Sequence, residues 1–178
     1  HMATRTLAVY EELCNSQNIL VIKLSALGDV VLITASLKAL RKKFPRAKIV
    51  CLLGRPWRHI LQRCPYLDDL ILLDLEDKSW SVLWQLGKKL RQYHFDKVID
   101  FQNTVRTHVL AALSCARESY GFRRGKAGFL LSYGVPLPKE DMPPVRHQFQ
   151  ILERLGLTYS PDLRLELWPT ENDDRAIQ

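Results

Sequence analysis

Residues 21–44, "VIKLSALGDVVLITASLKALRKKF", decide the fold. The apolar run "NILVIK" (18–23) stops at a loop holding one glycine and one lone acid, Gly28 and Asp29. Then Val30, Ile33, Leu37, Leu40 and Phe44 recur at spacings of three and four, with Lys38, Arg41, Lys42 and Lys43 on the other face. A short apolar run bounded by a turn predicts a buried strand. The periodic stretch predicts an amphipathic helix from Asp29, with cations in its last turns, where the helix dipole favours them, and Pro45 beyond its end.

The same cycle repeats outward from this unit. Strands are expected over 48–53 ("KIVCLL"), 69–74 ("DLILLD") and 97–102 ("KVIDFQ"). Helices are expected over 56–64, with proline at its start, and over 79–93, 104–116 and 145–156, the last stopping at Gly156. A short extended piece falls near Tyr120–Phe122, a Gly/Pro/Arg-rich loop follows, and "LRLEL" (163–167) reads as a last strand. Strands alternating with helices predict an α/β fold. Its sheet would be open, mainly parallel and Rossmann-like, with helices on both faces and strand 18–23 near its centre.

Composition bounds the function. The 178 residues suffice for one domain with a real core, and a 47% hydrophobic, 25% charged chain is globular. Lys and Arg exceed Asp and Glu by 26 to 19, a net +7 that suits an anionic partner. Four cysteines form no C-x-x-C pair; Cys51 and Cys115 read as buried small hydrophobes in a reducing compartment. No apolar run approaches the roughly 18 residues of a membrane span. His1 and Met2 read as an expression scar at the head of a loosely held tail over 1–17. Residues 18–168 form the expected domain, and "WPTENDDRAIQ" reads as the start of a linker over 169–178.

In open parallel sheets, ligands bind at the carboxyl ends of the strands. Those ends carry residues 23–29, 54–58 and 102–106. The first loop lacks both G-x-G-x-x-G and the G-x-x-x-x-G-K-[ST] phosphate loop. An acid at a helix N-terminus also opposes phosphate. Two readings of Asp29 stand: a helix cap accepting first-turn N–H groups, or a general base at the mouth of a cleft. Arg55, Arg58 and Arg63 surround the second helix, and Arg123, Arg124 and Lys126 crowd one loop beside Phe122 and Phe129. Each set is either a solvated face or a seat for an anion. Arg106, four residues after a strand-end glutamine, is a surface residue or a ligand contact. The histidines share no metal-ligand spacing and no H-E-x-x-H or D-x-D is present, so no metal is expected.

"ILVIKLSALGDVVLITASLKALRKKFPRAKI" resembles the start of the bacterial heptosyltransferases, glycosyltransferase family 9, whose pattern is strand, [KR]-x-S-x-[LM]-G-D, helix, basic-Pro turn and second strand. "FDKVIDFQNTVRTHVLAALSCARESYGF" is similar to the family's D-x-Q-x-x-x-[KR]-[ST] segment and later "GF", and "HQFQILERLGL" resembles the helix closing its first domain. The three occur in family order over residues 18 to about 167.

The resemblance implies the N-terminal, acceptor-binding half of a GT-B glycosyltransferase. That enzyme would transfer heptose from ADP-heptose to the lipopolysaccharide inner core, with inversion and without a metal or other cofactor. The donor domain lies outside this sequence. Asp29 would be the catalytic base, which explains a turn with an acid and no phosphate cradle. Gly28 would keep the backbone small beside the sugar. Lys23, Ser25, Gln102 and Arg106 match positions that look like acceptor contacts, with Arg55 and Arg58 added for the acceptor's anionic groups. Asn103 stands where the family commonly has glycine. The expected setting is peripheral, at the cytoplasmic face of the inner membrane, with no nucleic acid. The rival reading is a non-catalytic α/β module that binds an anionic glycolipid or nucleic acid.

Overall fold

The computed structural model describes residues 17–77, 79–138 and 142–169. The expected tail over 1–17 and linker over 169–178 therefore fall almost wholly outside the described residues.

Six strands form one parallel sheet: β1 (Asn18–Lys23), β2 (Lys48–Gly54), β3 (Asp69–Leu73), β4 (Lys97–Asp100), β5 (Glu118–Phe122) and β6 (Tyr133–Val135). Their order is β3-β2-β1-β4-β5-β6, with every neighbouring pair parallel. The helices are α1 (Leu27–Lys43), α2 (Arg58–Leu61), α3 (Trp80–Arg91), α4 (Val105–Leu113) and α5 (Pro144–Glu153). The sheet grows outward from β1 in both directions, so the chain reverses its order between β1 and β4. That is the switch point where a crevice opens above the strand ends.

The strands are apolar at consecutive positions because both faces are covered. Ile19 and Val21 of β1 join Ile49, Cys51 and Leu53 of β2 in one core, against Ile33, Leu37 and Leu40 of α1 and Phe149 and Leu152 of α5. Leu20 and Ile22 join Val50, Leu52 and Val98 in the other, against Leu83, Leu86 and Leu90 of α3 and Leu110 of α4. The α3–α4 contact is close at Gly87, where an added Cβ would lie 2.7 Å from the Leu113 side chain.

Several expected boundaries shift, each for a local reason. α1 begins two residues before Asp29, with Ala26 at its N-cap accepting from the Val30 N–H at 2.9 Å. β4 stops at Asp100 instead of 102, because the Asp100 carboxylate accepts the N–H groups of Gln102 and Asn103, each at 2.9 Å. The segment 56–64 is one turn of 3-10 helix (Arg55–Trp57) and the single turn α2. Cys115 is exposed, not buried: α4 ends at Leu113 and Cys115 turns into the left-handed region at φ 56°. Gly156 (φ 71°) does close the turn after α5, with the Leu157 N–H donating to Leu152 O at 3.1 Å.

"LRLEL" is not a strand; it joins no ladder. It is a strap across α1. Glu166 accepts from Lys38 Nζ at 2.5 Å and Tyr66 Oη at 2.6 Å, and its N–H donates to Thr34 Oγ1 at 3.1 Å. Leu163 and Trp168 pack on the core, and Leu165 and Leu167 face outward.

Candidate functional site

Lys23 is the last residue of β1, on the face shared with Ile19 and Val21. It is 5% exposed. A buried ammonium needs partners. Its Nζ donates to Asp29 Oδ2 at 2.8 Å and reaches Phe101 O at 3.4 Å. Asp29 sits in the first turn of α1 with its side chain 53% exposed. The cap reading of Asp29 fails, since no side chain caps this helix. The early start of α1 draws Asp29 inside the first turn, where its carboxylate meets Lys23 instead of the open N–H groups.

This pair lies on the wall of a cleft of about 200 Å³ at the switch point. Gln102, Asn103 and Phe101 line it from the loop after β4, Phe122 and Arg124 from the end of β5, and His147, Gln148 and Ile151 from α5. It therefore combines a paired carboxylate, an arginine, amide groups and an aromatic edge. Burial holds the His147 pKa below its ordinary value, and its ring lies 4.3 Å from the Phe122 ring centroid. Gln148 is held by the Ser36 hydroxyl, which donates to its Oε1 at 3.1 Å. His147, Gln148 and Leu32 were not read as site residues. The signal for Gln148 was present in the sequence: a glutamine on the buried face of α5, between Val145 and Leu152 at helical spacing.

The loops are tied together by side chains. Gln102 Oε1 accepts the N–H groups of Leu24 (3.0 Å) and Ser25 (3.1 Å), and Gln102 Nε2 donates to Ser25 Oγ at 3.2 Å. The expected contacts Ser25 and Gln102 are thus a clamp between the loops after β1 and β4. Asn103 takes a left-handed conformation at φ 53°, which glycine and asparagine tolerate best. Its Oδ1 accepts the Phe122 N–H at 2.6 Å. Beneath the loop, Asp100 is fully buried, and burial pushes its pKa up to about 6. His108, also fully buried, places Nδ1 3.8 Å from Asp100 Oδ2, and burial lowers its pKa.

A Cβ added to Gly28 would meet nothing within 4 Å, so the first turn of α1 presents open space there. The other expected residues lie elsewhere. Arg106 lines a second cleft of about 290 Å³ with Ser25, Asp74, Asp77 and Gln102, on the other side of the clamp, and its guanidinium lies 5.8 Å from the Trp80 ring. Arg55 pairs with Asp74 at 2.6 Å, both side chains being well exposed. Arg58 lines a separate groove with Gln62, Asp68 and Asp69. Of the expected set, Lys23, Asp29 and Gln102 share one cleft, and Arg55, Arg58 and Arg106 do not join it.

Comparison with known proteins agrees with this fold. The family model "Glycosyltransferase family 9 (heptosyltransferase)" matches residues 83–174. Lipopolysaccharide heptosyltransferase 1 of Campylobacter coli is 27% identical over 104 residues, 58% of this chain and 30% of that protein. The lipopolysaccharide core heptosyltransferase OpsX of Haemophilus influenzae is 24% identical over 115 residues, 63% of this chain and 32% of that protein. The crystal structure of a family 9 glycosyltransferase from Veillonella parvula superposes with a TM-score of 0.78 at 25% identity, covering 88% of this chain and 46% of that one. The E. coli ADP-heptose lipopolysaccharide heptosyltransferase II shares the fold, with a TM-score of 0.72 at 20% identity, over 90% of this chain and 49% of that one. The chain thus spans about a third of these curated relatives and about half of these solved structures. The Rossmann-like sheet, the ordered motifs and the matched family model together place the chain in glycosyltransferase family 9, the heptosyltransferase family.

Proposed function

We propose that this chain is the N-terminal, acceptor-side domain of an inverting, metal-independent glycosyltransferase that moves heptose from ADP-heptose onto the lipopolysaccharide inner core. Asp29 is its general base. The observation that carries this is the half-exposed Asp29 carboxylate, held by Lys23 at 2.8 Å on the wall of the switch-point cleft. The acceptor hydroxyl oxygen attacks the anomeric carbon as its proton passes to Asp29. The bond from that carbon to the diphosphate breaks on the opposite face, and ADP leaves with the electron pair. One base suffices for a single displacement. Lys23 orients the carboxylate, and the Gln102–Ser25 clamp holds the loop that leads into it.

The donor is bound by a second domain outside residues 1–178, so this segment alone transfers no sugar. The test is sugar transfer by the protein encoded by the full reading frame, with ADP-heptose, an inner-core acceptor and excess chelator. Turnover should persist with chelator, and Asp29→Asn should slow it roughly 10²–10⁴-fold. Near-normal turnover in a stable Asp29→Asn protein removes the base assignment. Acceptor binding with no transfer by the full protein favours a non-catalytic glycolipid binder.

A further inference from the structure

The loop between β5 and β6 reaches the Asp29 cleft through Arg124, and the rest of it carries an exposed surface outside that cleft. Residues 121–138, "GFRRGKAGFLLSYGVPLP", contain three cations and no acid. Arg123, Arg124 and Lys126 form no ion pair among the described residues. Beside them, Phe129 is 80% exposed, with Tyr133 at 46% and Leu137 at 47%. This display is built into the fold. Ala127 and Leu131 are buried on either side of Phe129. Gly128 packs so tightly that an added Cβ would lie 2.9 Å from Arg123 Cα. The 3-10 turn Gly128–Leu130 therefore holds the Phe129 ring out in solvent. Arg124 and Leu137 also line the Asp29 cleft, so this surface borders its mouth.

We propose that the 123–137 surface docks on an anionic phospholipid bilayer, with Phe129 entering the headgroup region and Arg123 and Lys126 drawn to lipid phosphates. An exposed aromatic ring beside unpaired cations matches an interfacial anchor: the ring gains by leaving water and the cations by the surface potential. An acidic protein partner would supply charge but no apolar layer for the ring. Docking here turns the mouth of the cleft toward the bilayer, where an amphipathic acceptor lies. That orientation rests on the proposed function; the surface itself is tested without any turnover.

The experiment is cosedimentation of the 178-residue chain with phosphatidylcholine vesicles, with and without phosphatidylglycerol, at low and high salt. Phe129→Ala, Lys126→Glu and Arg123→Glu are compared with Lys88→Glu, a reversal on the exposed side of α3, and thermal midpoints confirm folding. The expected result is salt-sensitive binding to anionic vesicles only, weakened about five- to tenfold by each loop variant and unchanged by Lys88→Glu. No binding to either vesicle, binding that survives the loop variants, or equal loss with Lys88→Glu overturns the proposal. So does an equal loss of binding to the deacylated, water-soluble acceptor, which makes the loop a saccharide subsite.

Discussion

The Lys23 ammonium donates to the Asp29 carboxylate at 2.8 Å across the start of α1, with the lysine side chain 7% and the aspartate side chain 53% exposed. The two ends of this pair have unequal stakes. Asp29 has water as an alternative partner; among the described residues Lys23 has, besides Asp29, the hydrogen bond to Phe101 O and the charge of the nearby Asp100 carboxylate. Asp29→Ala should cost about 1–3 kcal/mol by stranding a buried cation, not by removing a cap. Lys23→Met in the same protein should recover most of that loss, whereas Asp29→Asn, which keeps an acceptor oxygen, should cost less. Denaturant melts of wild type, Asp29→Ala, Lys23→Met and the double variant measure the cycle; equal loss from Asp29→Ala with and without Lys23 removes the stranded-cation account.

Gly28 occupies a helical position whose Cβ would meet open space. Gly28→Ala should therefore stabilise the domain by about 0.5–1 kcal/mol, the usual gain in a helix. If the sugar passes close to this turn, the same methyl should raise the acceptor KM in the complete enzyme. Stability gained with unchanged KM would leave Gly28 without a role in acceptor approach.

Asn103 separates conformation from hydrogen bonding. Asn103→Gly keeps the left-handed backbone (φ 53°) and loses the bond to the Phe122 N–H. Asn103→Ala loses the bond and adds about 1–2 kcal/mol of left-handed strain. Thermal melts should rank wild type above the glycine variant and the glycine variant above the alanine variant. A reversed order of the two variants would show that the loop relaxes to another backbone state.

Asp100 makes stability depend on pH. Its folded pKa of about 6 lies above the ordinary carboxylate value of about 3.9, so between those values the folded state binds more protons than the unfolded one. Stability from this group must then fall as pH rises from about 4 to 6, by about 3 kcal/mol, and stay level above. Burial of His108 acts in the opposite sense, because its neutral form is favoured and stability is lost as pH drops below about 6.5. Asp100→Asn keeps the oxygen that accepts from Gln102 and Asn103 and removes the titration of Asp100 together with its charge beside His108 and Lys23. The difference in unfolding free energy between wild type and Asp100→Asn isolates it. A difference independent of pH between 4 and 6 excludes the assignment.

The parallel sheet and its central strand were legible because doubly covered strands must be apolar at consecutive positions, and residues 19–22 ("ILVI") and 49–53 ("IVCLL") are. The start of α1 was not, because Leu27 is 49% exposed and its turn carries no apolar period. β6 is three residues long, inside a Gly/Pro-rich stretch, and exists only through its pairing with Tyr120–Phe122. Asp29 and Gln102 were visible as candidates at strand ends. Lys23 and Ser25 were visible as candidates too, but their pairing with Asp29 and Gln102 was not, since the clamp and the ion pair are contacts that a sequence does not order. Arg106 shows the limit: its spacing after β4 is right for the rim, but only the folded clamp decides on which side of Gln102 it falls.

The strap at Glu166 has a mechanical side. Its three anchors sit on Thr34 and Lys38 of α1 and on Tyr66, so force on the chain near Trp168 is delivered to the helix whose first turn bears Asp29. α1 is a rigid rod of 17 residues, about 25 Å long, packed along its buried face. A pull on the middle of such a rod moves its first turn as well, and the strap is its handle.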